Sequence, residues 1–200
     1  MGGGNPTIAY YDQFGLDFAA ATVAVEMGQL HERFLARLPR GGAILDAGCG
    51  SGRDSKAFLE RGYLVTSIDG SQAMVEATTV LTGLPARRLR FEELDYVECF
   101  DGIWACASLL HLARKDLSEV LRRLAIALRT GGVIYMSFKN GDGDRVSRGR
   151  HFTDFTPDSL GDWLSGESEL QILDIWETGD QRAERAEERW VNALLQKSSA

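Results

Sequence analysis

The sequence is short of cysteine, of long apolar runs and of positive charge, and each shortage closes off a class of protein. Its three cysteines, Cys49, Cys99 and Cys106, are odd in number and lack metal-ligand spacing. Neither a disulfide framework nor a metal site is expected, and the pattern fits reduced thiols in a cytoplasm. No apolar run approaches spanning length, and residues 1–6 lack the basic-then-apolar order of an export signal. A cytoplasmic protein with no membrane partner is therefore expected. Pro6 breaks the pattern that myristoylation of Gly2 requires. A net charge of −7 and a pI near 5.0 argue against broad nucleic-acid binding, although a local basic rim stays open. Internal repeats are absent. With 44% apolar and 26% charged residues over 200 positions, one α/β domain is expected, as a monomer or a homodimer.

What is present is organised around residues 44–55. A short apolar run ends in Asp46, glycines follow at 48, 50 and 52, and a helical stretch runs from Ser55 to Arg61. That is the order of a buried parallel strand, a tight turn and a helix whose first turn offers N–H groups to a ligand. Residues 63–69 read as a second strand ending in Asp69, and Ser71 caps a helix running towards Gly83. A weaker third strand spans Arg88 to Phe91, and a strong fourth spans Gly102 to Cys106. A helix follows with Leu117, Val120, Leu121, Leu124 and Leu128 on one stripe, ended by Gly131-Gly132 before a fifth strand from Val133 to Phe138.

Residues 1–40 thus read as a helical lead-in or lid ending at Leu38, 41–138 as a cofactor-binding core, and 139–200 as a substrate-side segment. That last segment holds a long loop from Lys139 to Phe155, a helix capped by Thr156, and two strands, Leu170 to Glu177 and Arg189 to Gln196, that should pair antiparallel. The expected fold is α/β: a doubly wound, mostly parallel, seven-stranded Rossmann-like sheet with an antiparallel last strand and helices on both faces.

Spacing separates the two cofactor classes that suit the glycine turn. A dinucleotide fingerprint needs Gly-x-Gly-x-x-Gly, but its last position falls on Arg53 and the third glycine is Gly52, which disfavours nicotinamide. The stretch Leu45 to Gly52 instead resembles the first motif of class I S-adenosylmethionine-dependent methyltransferases. The resemblance continues through the acid-ended second strand, Phe-Asp-Gly-Ile-Trp at the fourth, Leu-Arg-Thr-Gly-Gly before the fifth, and the closing antiparallel pair. The Cys-Gly-x-Gly-Arg-x-Ser turn is similar to that of the small tellurite-resistance-type branch.

The resemblance implies S-adenosylmethionine as cofactor and S-adenosylhomocysteine as product, held by Asp46, Gly48, Cys49, Gly50, Gly52, Arg53, Asp69, Gly70, Met74, Phe91 and Ala105. Asp69 would accept the ribose hydroxyls; Asp46 would order the turn or reach the cofactor's amino group; Arg53 would meet its carboxylate or lie solvated. Gly70, Met74 and Phe91 would flank the adenine, Met74 equally suits the core, and Cys49 is a small side chain facing the helix. Where the family often has an adenine-binding acid, this chain has Arg90 and Phe91, which moves that role to Glu92 or Glu93 or leaves it to backbone or water.

For a small-molecule acceptor the candidates are Tyr10, Tyr11, Ser108, Lys139, Arg150 and Arg185, with His111 as a general base or a structural residue. Two basic clusters, Lys139 to His151 and Arg182 to Arg189, would make that acceptor anionic if they meet at the pocket. Interleaving with Asp142, Asp144, Glu184, Glu187 and Glu188 would neutralise them instead. Methylation of tRNA or another nucleic acid, and cofactor binding without catalysis, are the alternatives.

Overall fold

The computed structural model describes residues 5–182 and 185–198. Helix α1 (Pro6–Thr22) starts where Pro6 supplies a preset φ and the Asn5 side chain accepts the Thr7 and Ile8 amides at 3.0 and 3.3 Å. Helix α2 (Gly28–Leu35) stops three residues short of the expected Leu38, the chain turning through Arg37 and Leu38 amides bonded to Phe34 and Leu35 carbonyls.

Strand β1 (Ala43–Ala47) runs into α3 (Arg53–Glu60), and β2 (Leu64–Asp69) into α4 (Gln72–Thr82), which Ser71 caps and Gly83 ends in the left-handed conformation. Then follow β3 (Arg87–Arg88), β4 (Phe100–Ala105), α5 (Arg114–Ala127), β5 (Leu128–Lys139), β6 (Gly143–Ser147), β7 (Arg150–Asp154), α6 (Pro157–Leu164), β8 (Leu170–Gly179) and β9 (Arg189–Lys197).

Seven strands form one sheet in the order β3-β2-β1-β4-β5-β9-β8, with β1 to β5 parallel and β9 inserted antiparallel between β5 and β8. The strand order reverses between β1 and β4, and a doubly wound sheet opens its ligand crevice beyond the carboxyl ends of the strands at that point. Alternation along the strands feeds two cores. Leu45, Ile103 and Ile134 face α5 and α6, whereas Ile44, Trp104 and Tyr135 face Leu30, Phe34 and Phe58 of α2 and α3.

Three expectations need correction. The third strand is only Arg87–Arg88; Phe91 lies in a 3-10 turn, Phe91–Glu93, which the Glu93 carboxylate closes by accepting the Arg90 amide at 3.1 Å. Helix α5 ends at Ala127 rather than at the glycines, because Leu128 already pairs with Phe100 across the sheet; Gly131, at φ 77°, lies where the register shifts between Phe100 and Gly102. The segment from Lys139 to Phe155 is not a loop. It folds as the hairpin β6–β7, closed by Arg148 and Gly149, both at positive φ as a two-residue hairpin turn requires.

Candidate functional site

Beyond the carboxyl ends of β1, β2 and β4 lies a cavity of about 330 Å³, roofed by α1 and walled on its far side by β7 and the β8–β9 connection. Of the expected cofactor residues, Gly48, Cys49, Gly50, Arg53, Asp69, Gly70, Met74 and Phe91 line it, while Asp46, Gly52 and Ala105 do not. All the expected acceptor residues, Tyr10, Tyr11, Ser108, His111, Lys139, Arg150 and Arg185, line it as well.

The amides of the glycine turn are bound within the protein. The Gly48 and Cys49 amides both donate to the Ile68 carbonyl at 2.9 Å, the Gly52 amide donates to Cys49, and the Gly50 amide donates to Asp69 at 3.1 Å. Two of the glycines answer to packing: a Cβ on Gly48 would overlap Ser108, and one on Gly52 would stand 2.9 Å from the Thr78 backbone. Gly50 is the one left open, with Phe18 of α1 at 3.8 Å as the nearest neighbour. Of the three, Gly50 therefore leaves the most room beside its backbone. Cys49 is buried against Thr78 and burial pushes its thiol well up, so it is no nucleophile.

Asp69 ends β2 with both oxygens engaged once, by the Gly50 amide and by the Ser71 amide at 2.9 Å. Each carboxylate oxygen keeps a second lone pair, and burial raises the group to about 6. Gly70 faces Ile8 of α1, and Met74, 1% exposed, is wall and core at once. Glu92 lines the cavity, whereas Glu93 is spent on its own turn.

Asp46 sits behind the turn, accepting the Ser55 hydroxyl at 2.6 Å, and is raised by burial and by Asp54. It is tied to α3 through Ser55 and does not reach the cavity wall. Arg53 is neither solvated nor free: Nε and Nη2 fork onto Asp54 at 2.8 Å each. Asp54 also accepts His31 Nε2 and Trp104 Nε1, both at 2.9 Å. Burial would raise this carboxyl, but Arg53 and His31 outweigh it and hold the group well below the usual carboxylate range. Sequence reasoning missed Asp54 and His31. The signal was there in α2, where a polar His31 shares the buried face of Leu30 and Phe34 and so needs a buried partner.

At the other end Ser108 donates to the Ala47 carbonyl at 2.7 Å, a structural duty. His111 lies in a 3-10 turn, Leu109–His111, with Nδ1 2.7 Å from the His151 carbonyl and Nε2 3.0 Å from the Tyr11 hydroxyl. The carbonyl can only accept, so Nδ1 carries the proton and Nε2 receives the Tyr11 O–H. Burial lowers His111 to about 4, so near neutral pH the ring is uncharged with both nitrogens occupied.

The basic residues differ in their pairing. Lys139 is paired with Asp180 at 3.3 Å and with Glu188, and Arg185 pairs with Glu188 at 3.4 Å. Arg145 pairs with Asp154. Glu184 lies outside the described residues. Arg150 instead stacks on Tyr10, Tyr11 and Phe152 and donates to the Tyr11 hydroxyl at 3.3 Å. Among the described residues no helix is long and apolar enough to cross a membrane.

Residues 44–132 match the family described as a methyltransferase domain. The YqeM protein of Bacillus subtilis (strain 168), named for methyl transfer, is 30% identical over 152 residues, 69% of this chain and 60% of that protein. Methyltransferase GfsG of Streptomyces halstedii is 32% identical over 114 residues, 52% of this chain and 39% of that protein. The chain therefore spans less than two thirds of these relatives. Among solved structures, 1,6-didemethyltoxoflavin-N1-methyltransferase of Burkholderia thailandensis, with 1,6-didemethyltoxoflavin and S-adenosylhomocysteine bound, superposes with a TM-score of 0.79 at 23% identity, covering 96% of this chain and 85% of that one. The [4+2]-cyclase SpnF shares the fold at a TM-score of 0.74 and 18% identity, over 96% of this chain and 95% of that one, so the fold alone does not set the reaction. Residues 44–132 thus match a methyltransferase-domain family, and the whole sheet shares its fold with solved methyltransferase structures.

Proposed function

We propose that the protein transfers the methyl group of S-adenosylmethionine to a small-molecule acceptor held between Tyr11, His111 and Arg150. The observation that carries this is one continuous cavity joining Gly50 and Asp69 to those three side chains. The cofactor residues fit the group: Asp69 has unspent lone pairs for the ribose hydroxyls, Gly50 leaves room for close approach, and Arg53 keeps Nη1 beyond its fork onto Asp54 for a carboxylate. Phe91 and Met74 supply apolar walls for the adenine, with Glu92 nearby for its amino group. When bound, the cofactor supplies a methyl group already activated on a sulfonium.

The chain's own contribution is alignment and exclusion of water by α1. His111, neutral and lowered to about 4, is a weak base, and an acceptor proton reaches its Nε2 only through or in place of the Tyr11 hydroxyl. That favours acceptors that ionise with little help. The Cys49 to Ser55 turn supports a place in the small tellurite-resistance-type branch. An acceptor screen reading S-adenosylhomocysteine release tests the reaction. No release from any acceptor, with cofactor bound by calorimetry, would favour a non-catalytic binding protein.

A further inference from the structure

Of the cations on the cavity wall, Arg53 is paired with Asp54, Arg90 with Glu92 and Glu93, and Lys139, Arg182 and Arg185 share Asp180 and Glu188. Arg150 stands apart, with no described carboxylate within ion-pair distance; Arg148 also lacks one but is exposed at the hairpin tip. The faces of the Arg150 guanidinium are taken: its Cζ lies 4.5 Å from the Tyr10 ring centroid, 5.1 Å from that of Phe152 and 5.7 Å from that of Tyr11. One edge is taken too, Nη1 donating to the Tyr11 hydroxyl. Nε is buried without a hydrogen-bond partner, alone in this among the buried side-chain donors and acceptors of the described residues. A buried donor left unmade is costly and calls for an occupant.

Nε and Nη2 of a guanidinium form a parallel pair of donors that matches the two oxygens of a carboxylate, and aromatic walls that exclude water strengthen the contact. Resting on the methyl-transfer reading above, we propose that the acceptor carries a carboxylate, seated on the Nε–Nη2 edge of Arg150, with its remainder extending towards Gly50. One unneutralised fork suits a monoanion; a phosphate dianion would need a second free cation in reach, and Arg148 is exposed at the hairpin tip. Because Nε is covered, entry of the acid requires one of the surrounding rings to move off the guanidinium.

The test uses benzoate and benzamide as probes, titrated by calorimetry into the protein with S-adenosylhomocysteine present. Benzoate should bind at least about tenfold more tightly than benzamide, which has the same shape without the charge. Arg150→Gln should weaken benzoate at least about tenfold while thermal unfolding and S-adenosylhomocysteine affinity stay as in the parent, and Arg150→Lys, with charge but no fork, should fall between. Equal binding of the two probes, no benzoate binding, or benzoate binding unchanged in Arg150→Gln would overturn the proposal. So would tighter binding of inorganic phosphate than of benzoate. Failure of S-adenosylhomocysteine to bind would instead sink the cofactor assignment, and the benzoate titrations repeated without it still report on Arg150.

Discussion

The two ends of the cavity are built from different materials. At the Gly50 end the main chain dominates: turn amides bond to the β2 carbonyl, Asp69 accepts amides, and two glycines are demanded by neighbouring atoms. At the Arg150 end, side chains from α1, the turn at His111, β7 and the β8–β9 connection meet across long sequence separations, as in Tyr11 with His111 and Arg150. A main-chain site changes little when a side chain is exchanged, so it can hold one cofactor. A side-chain site can be rebuilt by substitution, which suits it to the acceptor choice proposed above.

The contrast can be broken most forcefully at Asp54, which lines the cavity and holds both Arg53 and His31 of α2. Asp54→Ala leaves Arg53 buried without its partner and should cost about 3–5 kcal/mol of stability in denaturant unfolding, with loss of cofactor binding. Little change would mean that water replaces the carboxylate. Next is Gly48→Ala, where a left-handed φ of 86° and overlap with Ser108 add to about 2–4 kcal/mol. Gly50→Ala, strained by a φ of 54° but meeting Phe18 only at 3.8 Å, should cost less than Gly48→Ala. If both glycine variants unfold alike, the division of duties within the turn is wrong.

Asp69→Asn should weaken S-adenosylmethionine about tenfold to a hundredfold by calorimetry, from loss of charge-assisted bonds of about 1.5–3 kcal/mol. The pH dependence has a definite sign. Below about 6 Asp69 holds a proton that must leave before it can accept two hydroxyls, so cofactor affinity should rise as pH climbs through about 6 and then level. For folding the sign is opposite: the raised carboxyl contributes stability fully present below the unfolded value of 3.8 and lost as pH rises through about 6. In Asp69→Asn both slopes should flatten. The smallest effect belongs to Arg185→Ala, whose charge is already answered by Glu188; the acceptor's KM should move less than about twofold. A large rise there would return the second basic cluster to acceptor binding.

What was legible in the sequence was local or periodic. Apolar runs and helical stripes mark the sheet order's ingredients, Ser71, Thr156 and Gly83 mark helix ends, and the displaced Gly52 with Asp69 separates one nucleotide cofactor from another. Each depends on neighbours within a few positions, where backbone sterics and hydrogen bonding act directly. The hairpin β6–β7 escaped because its turn residue is Arg148 rather than Asn or Asp, and the strand at Phe91 failed because a Glu93 side chain captured its backbone.

Long-range partners were decided only by the tertiary structure. Nothing local says that Asp54 would be joined by His31 and Trp104 from 23 and 50 residues away, or that Lys139 would be paired from 41 and 49 residues away while Arg150 would not. Charge in a sequence carries a sign but not a partner, and burial decides which pairs form, because an unpaired charge inside a protein is far more costly than one in water.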